Sequence, residues 1–532
     1  MRFLFLLLFP GILLSASWAE STLASMTLEE KIGQLFMAPI CPLRKKDHWE
    51  DWMVLMKEFH IGNGILKHSD PITQIEFLKR LQKESKIPLL ISADAEWGLA
   101  MRMSNTIAFP RNMTLGAIAD IFLIEQMGQE IGREAKFVGI HMSLAPVADV
   151  NNNPLNPIIH TRSFGENPRE VGARASAYFR GLESAGILAC AKHFPGHGDT
   201  SMDSHKNLPA IPFSKERLDA VEFVPFRKVI QEGISAIMSA HLLVPVVDPV
   251  YPSSLSSACL RAILRDELHF EGLIVTDALN MKALTDHFSY EEIAVLAKGA
   301  GSDILLYGDH LDSVVDELLQ IQIPKAFKAL REAYLSGALK MSDLDQSVLR
   351  VLRAKEKLKL NERSLEPSEN VLEELHSKEA ISLKKTLYRE AVTLVGAPLL
   401  PLMTKVAYFS IGEGDAIGKE FSSVFQAPLT MNSEIRKSLE QKFSPFDQIL
   451  IALHQVDFKA PHFGLSEDLR ELIHSLSSKS ILCHFATPYA LKEFKEQKTI
   501  LVGYENDPDA QLAVLHVLQG KEKARGHLPV TP

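Results

Sequence analysis

The sequence predicts an α/β protein in which a TIM-type (β/α)8 barrel precedes a smaller α/β sandwich domain. Three observations predict this fold class. Short apolar runs alternate with amphipathic segments between residues 30 and 310, several of these runs end in a charged or imidazole residue, and a second alternation begins near residue 390. Short apolar runs between helical patterns are typical of parallel strands that are buried on both faces.

The first alternation contains seven apolar runs, and this number fits a closed barrel better than an open sheet. Amphipathic helical patterns, such as those at 118–138 and 169–185, separate the runs. The runs span residues 61–67, 87–94, 140–150, 186–194, 234–241, 272–277 and 302–308.

The N-terminal segment "MRFLFLLLFPGILLSASWAES" predicts a secretory signal peptide. Arg2 precedes an apolar run from Phe3 to Leu14, and the small residues that follow end at Ala19, the expected cleavage position. The alternative is a membrane anchor, but a membrane span needs about 20 apolar residues. We therefore expect an exported protein, periplasmic or secreted, that is not stably inserted in the membrane after cleavage.

The composition and pattern of the sequence change twice after the barrel. Residues 311–395 are helical and charged, "NERSLEPSEN" (361–370) has the composition of a surface connector, and five strand-like runs follow. We divide the chain into a signal peptide (1–19), a barrel catalytic domain (20–360), a linker with a connecting helix (361–390) and a C-terminal α/β sandwich domain (391–532).

Composition excludes few functions, but it argues against a nucleic-acid partner. The net charge is −9 and no basic block is present, whereas nucleic-acid binding depends on clustered Lys and Arg. Four cysteines are too few and too scattered for a disulfide framework. Cys190 and Cys483 lie in apolar runs, which indicates buried free thiols, although an exported protein permits one disulfide.

Polar side chains gather at the carboxyl ends of the apolar runs. In a barrel these ends converge on one face, where active sites are built, so the sequence predicts a site there. The alternative is that each residue only marks the point where a strand reaches the surface. The residues concerned are Asp94, Asp149, Lys192, His193, His241 and Asp277.

The segment "KHFPGHGDTSMDSH" (192–205), here called the His-rich segment, admits three interpretations. A metal site is one, but Pro195 and Gly196 prevent a helix that would bring His193 and His197 together. A polar structural loop is the second. The third is a mobile catalytic loop, because in an extended segment the Asp203 carboxylate meets the ring of His205 and tunes it for acid–base work.

The His-rich segment resembles the signature of the bacterial β-N-acetylglucosaminidases (β-hexosaminidases) among the family 3 glycoside hydrolases, of the two-domain type. Further matching segments extend the resemblance over most of residues 25–532. These segments are "SADAEWGLAMRM", "LAPVADVNNNPLNPIIHTRSFGENP", "GLIVTDALNMKAL", "LYREAVTLVGA" and "GHLPVTP".

The resemblance implies roles for individual residues. Asp277 matches the nucleophile, His205 the acid/base, and Asp203 its partner in an Asp–His dyad. Two alternatives stay open, since Asp277 also suits a helix N-cap and Met281 suits a plain core position. The matched substrate-binding residues are Asp94, Arg102, Arg162, Lys192, His193 and Met281, the last as a wall of the acetamide pocket.

The resemblance implies a retaining exo-β-N-acetylglucosaminidase that acts on peptidoglycan fragments or chitooligosaccharides through a covalent glycosyl-Asp intermediate. A carbohydrate is the expected partner, and no metal or organic cofactor is expected. The alternatives are a β-glucosidase or β-xylosidase, a GlcNAc phosphorylase, and a wall-binding protein without activity. The sequence departs from the family at two positions, where Trp97 and Leu99 replace the Gly and Arg of shorter members. The ring of Trp97 offers an apolar surface on which a sugar face or another part of the substrate could stack, so the departure bears on the preferred leaving group.

Overall fold

The computed structural model describes residues 16–44, 46–200, 208–308, 314–362, 370–399 and 401–532. Its first domain is a barrel of parallel strands in the order β7-β6-β5-β4-β3-β2-β1-β8, and a bridge between Val275 and Ile304 joins the two ends. This confirms the predicted barrel. The strands are β1 Phe36–Ile40, β2 Asn63–Leu66, β3 Leu90–Ala93, β4 Met142–Ser143, β5 Leu188–Phe194, β6 Ala236–Ser239, β7 Leu273–Thr276 and β8 Leu305–Leu306.

Each of the seven predicted apolar runs contains one of these strands, and β1 is the strand that the periodicity did not reveal. It pairs with β2 on one side and β8 on the other, so it completes the barrel. Its five residues are all buried, but Pro39 lies inside it and the pattern of the preceding helix runs into it.

The helices that follow the strands cover the outside of the barrel. The helix after β6, Ala258–Glu267, is π-helical, as is Leu318–Gln322. Short 3-10 turns lie at Leu99–Met101, His160–Arg162, Ser253–Leu255 and Leu360–Glu362. The α-helices are α1 Trp18–Ser25, α2 Leu28–Gly33, α3 Lys46–Glu58, α4 Pro71–Glu84, α5 Asn112–Gly116, α6 Phe122–Phe137, α7 Pro168–Ser184, α8 Lys215–Ala220, α9 Phe223–Gln231, α10 Lys282–Thr285, α11 Tyr290–Ala300, α12 Val315–Glu317, α13 Ile323–Leu335 and α14 Met341–Lys357.

Local sequence explains where several helices begin. Asp70 and Asn167 cap α4 and α7 with their side-chain oxygens, and a proline at the first position of each helix is already in helical geometry. Inside the barrel, side chains from the strands form one apolar cluster, and Val351 of α14 joins this cluster. The barrel is therefore filled, and α14 closes its amino-terminal end.

Helices α15 (Val371–Leu375) and α16 (Lys378–Ala391) lead to a second sheet of six strands in the order β11-β10-β12-β13-β14-β9. Only β9 is antiparallel to its neighbour. This sheet and its helices confirm the α/β class of the second domain. The elements are β9 Thr393–Gly396, β10 Val406–Ile411, β11 Val424–Ala427, α17 Ser433–Phe443, β12 Gln448–Leu453, α18 Glu467–Ser475, β13 Ser480–His484, β14 Thr499–Val502 and α19 Pro508–Leu518, with 3-10 turns at Gly418–Glu420, Pro461–Gly464 and Pro488–Phe494.

The two domains meet through loops that follow strands in both sheets. Glu505, after β14, accepts hydrogen bonds from the Arg111 amide (2.8 Å) and the Thr114 hydroxyl (2.5 Å), which follow β3. A small apolar cluster lies at the same boundary and is here called the interdomain cluster. It consists of Met113, Phe463, Tyr489, Ala490 and Val530.

Three further features bear on the expectations for export. The predicted cleavage position falls inside α1, where Ala19 is buried and the Trp18 amide donates to Glu356 at 2.7 Å. All four cysteines are buried and lie outside disulfides. Within the described ranges, every helix is too short or too polar to cross a membrane.

Candidate active site

A cavity of about 790 Å³ opens at the carboxyl ends of the barrel strands. The structure brings together in this cavity all six predicted substrate-binding residues and the predicted nucleophile. Asp203 and His205, the predicted acid/base dyad, lie outside the described residues. The predicted residues that line the cavity are Asp94, Arg102, Arg162, Lys192, His193, Asp277 and Met281.

Asp94 follows β3 and joins two cations. Its carboxylate accepts from Arg102 at 2.7 Å and from the Lys192 ammonium at 2.8 Å. Burial alone would raise the pKa of Asp94, but the charges of Lys192 and Arg102 outweigh burial and hold the pKa well below its usual range. The residue is therefore a fixed carboxylate with lone pairs for sugar hydroxyls.

Glu96, two residues further on, also lines the cavity, although the sequence predicts no role for it. Arg162 donates to both of its oxygens, at 2.9 and 2.7 Å, and Lys192 lies 2.9 Å from it. Burial raises the pKa of Glu96, but the charges of Arg162 and Lys192 lower this pKa by more than burial raises it. The side chain therefore stays ionised. In the sequence, the only indication that Glu96 belongs to the site is its position in the Asp-x-Glu segment.

Asp149 is a second residue of this kind, noted as a strand-end carboxylate but not assigned a role. It accepts from the ring Nδ1 of His193 at 2.7 Å and from the backbone amides of His193 (3.2 Å) and His197 (2.6 Å). Burial opposes ionisation, yet the neighbouring His193 and these hydrogen bonds lower the pKa of Asp149. Asp149 thus holds the start of the His-rich segment.

These contacts set the tautomer of His193. Arg162 approaches the Nε2 atom of His193 at 3.4 Å, and a guanidinium only donates. Nε2 is therefore the accepting nitrogen, and Nδ1 carries the proton that is donated to Asp149. His193 is held by a carboxylate on one side and a guanidinium on the other.

Asp277 follows β7 directly, and its half-exposed side chain lines the cavity. Its amide donates to Ser239 at 2.9 Å, and its Oδ1 accepts from the Ala278 amide at 2.8 Å. Helix α10 begins only at Lys282, with Met281 at the cap position, so Asp277 is not a helix N-cap. Met281 belongs to the barrel core cluster and also lines the cavity, so both of its interpretations apply.

The histidines of the metal alternative have protein partners. His193 bonds Asp149, while the Nδ1 atom of His197 lies 2.8 Å from the Thr200 hydroxyl, and the ring centroids are 6.1 Å apart. Burial and the neighbouring His193 lower the pKa of His197 to about 4. Across the ranges that the structure describes, no three His, Cys, Asp or Glu side chains group as metal ligands.

The mouth of the cavity contains an aromatic plate. Trp97 lines the cavity, and the Arg111 guanidinium lies 4.7 Å from the centroid of its ring. Elsewhere in the lining, the Tyr290 hydroxyl and the Gln322 amide both donate to Glu317, at 3.1 and 3.0 Å. The cavity therefore has a charged floor and a mixed aromatic and polar rim.

The arrangement has the chemistry of a sugar site. Fixed carboxylates and cations at the floor supply paired acceptors and donors for vicinal hydroxyls. The Glycosyl hydrolase family 3 N terminal domain matches residues 27–354. The chain belongs to glycosyl hydrolase family 3. The resemblance and the glycoside hydrolase class expected from the sequence are thereby confirmed.

Relatives of this family 3 chain carry three relevant names. Beta-hexosaminidase A of Pseudoalteromonas piscicida is 33% identical over 303 residues, 53% of this chain, and the match spans only 50% of that relative. A family 3 β-N-acetylglucosaminidase from Paenibacillus sp. str. FPU-7 is 30% identical with a TM-score of 0.81, covering 95% of this chain and 99% of that one. The β-glucoside phosphorylase BglX bound to 2FGlc is 26% identical with a TM-score of 0.83, covering 97% and 96%.

Proposed function

We propose that this family 3 chain is a retaining exo-β-N-acetylglucosaminidase that removes terminal β-GlcNAc from peptidoglycan fragments or chitooligosaccharides. The observation that carries the proposal is the common cavity of Asp277 and the cluster of Asp94, Lys192 and Arg102. A sugar whose hydroxyls are bound by this cluster lies in the same cavity as the nucleophile. The names of the hexosaminidase and β-N-acetylglucosaminidase relatives support the choice of sugar.

In the proposed first step, a carboxylate oxygen of Asp277 forms a bond to the anomeric carbon while the bond to the leaving oxygen breaks. The imidazolium of His205, paired with Asp203, gives its proton to that oxygen. In the second step, neutral His205 takes a proton from water, and the water oxygen displaces Asp277 from the anomeric carbon. Two displacements at one carbon retain the β configuration.

The remaining residues bind the sugar in this proposal. Asp94 accepts from hydroxyl groups, while Arg102, Arg162 and Lys192 donate to them, and Met281 contacts the acetamide methyl. The depressed pKa values of Asp94 and Glu96 support this role, because acceptors that stay ionised bind hydroxyls at any physiological pH.

A panel of p-nitrophenyl glycosides tests the choice of sugar. We expect rapid release from the β-N-acetylglucosaminide and little from the β-glucoside and β-xyloside. Asp277→Ala should lose at least a thousandfold in kcat and keep the circular dichroism spectrum and melting temperature of the wild type. Fast release from the glucoside alone, or wild-type turnover by the Asp277→Ala protein, would refute the assignment.

A second candidate function is phosphorolysis, which the overall match to a β-glucoside phosphorylase favours. Phosphate would then replace water in the second step and yield a sugar 1-phosphate. Hydrolysis of defined muropeptides and chitooligosaccharides with and without phosphate, followed by mass spectrometry, separates the two. The hydrolase proposal expects free GlcNAc as the product in both conditions.

We also propose that the protein is exported after removal of residues 1–19. The composition of that segment is the support for export. Cleavage after Ala19 leaves Glu20 as the first residue and removes the Ser17 cap of α1. Mass spectrometry of the protein recovered from the periplasm or medium tests this, and an intact Met1 in that fraction would refute it.

A further inference from the structure

The segment that carries Arg162 has little secondary structure of its own. Residues 151–162, here called the arginine loop, run from the end of the β4 region to a single 3-10 turn, His160–Arg162. This loop delivers the Arg162 side chain to the cavity. His160 within it has a φ of 41°, in the left-handed region that a histidine adopts only at a cost. Such a conformation persists when surrounding contacts support it, so the contacts from outside the loop matter for its shape.

The second domain makes several of the contacts that hold this loop, in addition to bonds from the barrel such as that from the Asn112 side chain to the Arg162 carbonyl at 2.7 Å. The Tyr489 hydroxyl accepts from the Asn151 side-chain amide at 2.7 Å and donates to the Asn151 carbonyl at 3.1 Å. Asn151 is fully buried, so these bonds have no competition from water. One phenol thus ties down both the side chain and the backbone of the first residue in the arginine loop.

A second contact holds the other end of the loop. The ring of His160 stacks on Phe458 with centroids 4.5 Å apart and an interplanar angle of 21°, and Tyr489 lies 5.4 Å away. Burial lowers the pKa of His160 to about 4, so the stacked ring is neutral at physiological pH. His160 precedes Arg162 by two residues, so the stacked pair fixes the turn from which the arginine projects.

The arginine loop also reaches the start of the His-rich segment. The Asn153 side-chain amide donates to the Thr200 carbonyl at 3.3 Å, and that of Asn156 donates to the His197 carbonyl at 2.8 Å. A continuous set of hydrogen bonds therefore leads from Tyr489 through this loop to two carbonyls beside the cavity.

We propose that Tyr489 and Phe458 of the second domain are positioning residues for the glycosidase reaction, acting by holding the arginine loop so that Arg162 points into the sugar site. Neither residue lines the cavity, so neither is expected to touch the substrate. The second domain then has a defined task in catalysis by the barrel. The kinetic part of this inference rests on the proposed function.

Tyr489→Phe is the sharpest test, because it removes one hydroxyl and keeps the ring in the interdomain cluster. We expect KM to rise about tenfold with kcat changed less than threefold, measured on whichever p-nitrophenyl glycoside the wild type cleaves fastest. Tyr408→Phe is the matched control. It removes a buried hydroxyl that binds Asp415 within the second domain, and its kinetics should stay within twofold of wild type.

A double-mutant cycle separates positioning from general destabilisation. If Tyr489 acts through Arg162, Tyr489→Phe should change KM less than twofold in an Arg162→Gln background. Phe458→Leu, which keeps apolar bulk but removes the stacked ring, should raise KM in the same direction. Equal effects of Tyr489→Phe in both backgrounds, or kinetics like those of Tyr408→Phe, would overturn the proposal.

Hydrogen–deuterium exchange provides a readout that does not depend on the substrate. Peptides covering residues 151–162 should exchange at least fivefold faster in Tyr489→Phe than in wild type or Tyr408→Phe. Unchanged exchange in that loop overturns the positioning proposal whatever sugar the enzyme accepts. Failure of the wild type to cleave the N-acetylglucosaminide, with faster exchange still present, overturns only the choice of substrate.

Discussion

Arg162 and Lys192 line one cavity, and the Glu96 carboxylate pairs with both. Its side chain is only 1% exposed, whereas Arg162 is 23% exposed and reaches the cavity. Burying a cation without an anionic partner is energetically costly, and an unpaired side chain also loses its fixed orientation. The acceptor that pairs with the cation is therefore as important for substrate binding as the cation itself. We therefore expect Glu96 to act on the substrate through Arg162 and Lys192.

Glu96→Gln removes this charge and keeps the shape of the side chain. Charge-assisted hydrogen bonds contribute about 1.5–3 kcal/mol, so we expect kcat/KM to fall by about ten- to a hundredfold. Steady-state kinetics on the preferred substrate measure the change. Glu130→Gln is the control, because Glu130 pairs with Arg133 on the outer surface of α6. A Glu96→Gln enzyme as active as this control would contradict the role given to Glu96.

Trp97 is expected to act on the leaving group and not on the sugar at the floor. Stacking of a pyranose face on its ring, with the Arg111 guanidinium behind, should contribute about 1–2 kcal/mol. Trp97→Ala should therefore lower kcat/KM for diacetylchitobiose about tenfold more than for methyl β-N-acetylglucosaminide, whose leaving group is too small to stack. Equal losses for the two substrates would show that Trp97 does not contact the leaving group.

At the residue scale, the sequence identified groups that line the cavity but not the residues that hold them. Asp94, Lys192 and Asp277 end apolar runs, so their place on one barrel face followed from the run pattern. Glu96 and Asp149 act on residues from distant segments, Arg162 and His193, and such pairs become visible only once the chain is folded.

At the element scale, the two strands that the sequence did not reveal, β1 and β11, lack a clear periodic pattern. β11 is an edge strand of four residues with only Ala427 buried, so it lacks the continuous apolar run of a central strand. β1 is fully buried but contains Pro39 and follows directly on the α2 region. Strands such as β5 and β12 are predicted correctly because burial on both faces produces a continuous apolar run, 188–191 in β5 and 449–453 in β12.

Helix α14 closes the barrel with an unusual residue, Lys355, whose side chain is fully buried. Its ammonium donates to Gln34 at 2.6 Å and to the Gly62 carbonyl at 2.9 Å, both uncharged acceptors. Burial lowers its pKa to about 7. The nearby His141, whose pKa burial lowers to about 4, is neutral above this value.

The low pKa of Lys355 makes stability depend on pH with a definite sign. Below pH 7 both folded and unfolded chains hold the proton, and the cost of burying the charge is complete. Between pH 7 and about 10.4 the unfolded chain keeps the proton that the folded chain has released, so stability rises with pH. We expect this group to add about 2 kcal/mol to the free energy of unfolding between pH 7.5 and 9.5.

Lys355→Met should remove that increment, as measured by urea unfolding at the two pH values. Lys357→Met is the matched control, because Lys357 lies two residues away on the same helix and is 60% exposed. Its pH dependence should equal that of the wild type. A Lys355→Met protein with the wild-type increment would show that this lysine stays charged when buried.

At the scale of the whole molecule, the barrel and the second sheet meet at the carboxyl ends of their parallel strands. The loops after β12, β13 and β14 carry Phe458, Tyr489 and Glu505, and these residues contact barrel loops that follow β3 and β4. The carboxyl ends of parallel strands are where α/β folds place their functional loops. The sequence predicted two domains, but it contained no pattern for this contact, which joins side chains about 300 to 390 residues apart.

The interdomain cluster should make the two domains unfold together. Val530 is 3% exposed within it, and the neighbouring Thr531 donates to Glu166 of the barrel. Val530→Asp places a carboxylate in an apolar site near that glutamate, at a cost of several kcal/mol. We expect calorimetry to show one transition for the wild type and two for Val530→Asp, with one domain melting at least 5 °C below the other.

Val424→Asp is the control, because this site on β11 is 41% exposed, and it should keep the single transition. Two transitions in the wild type, or one unshifted transition in Val530→Asp, would mean that this cluster does not couple the domains.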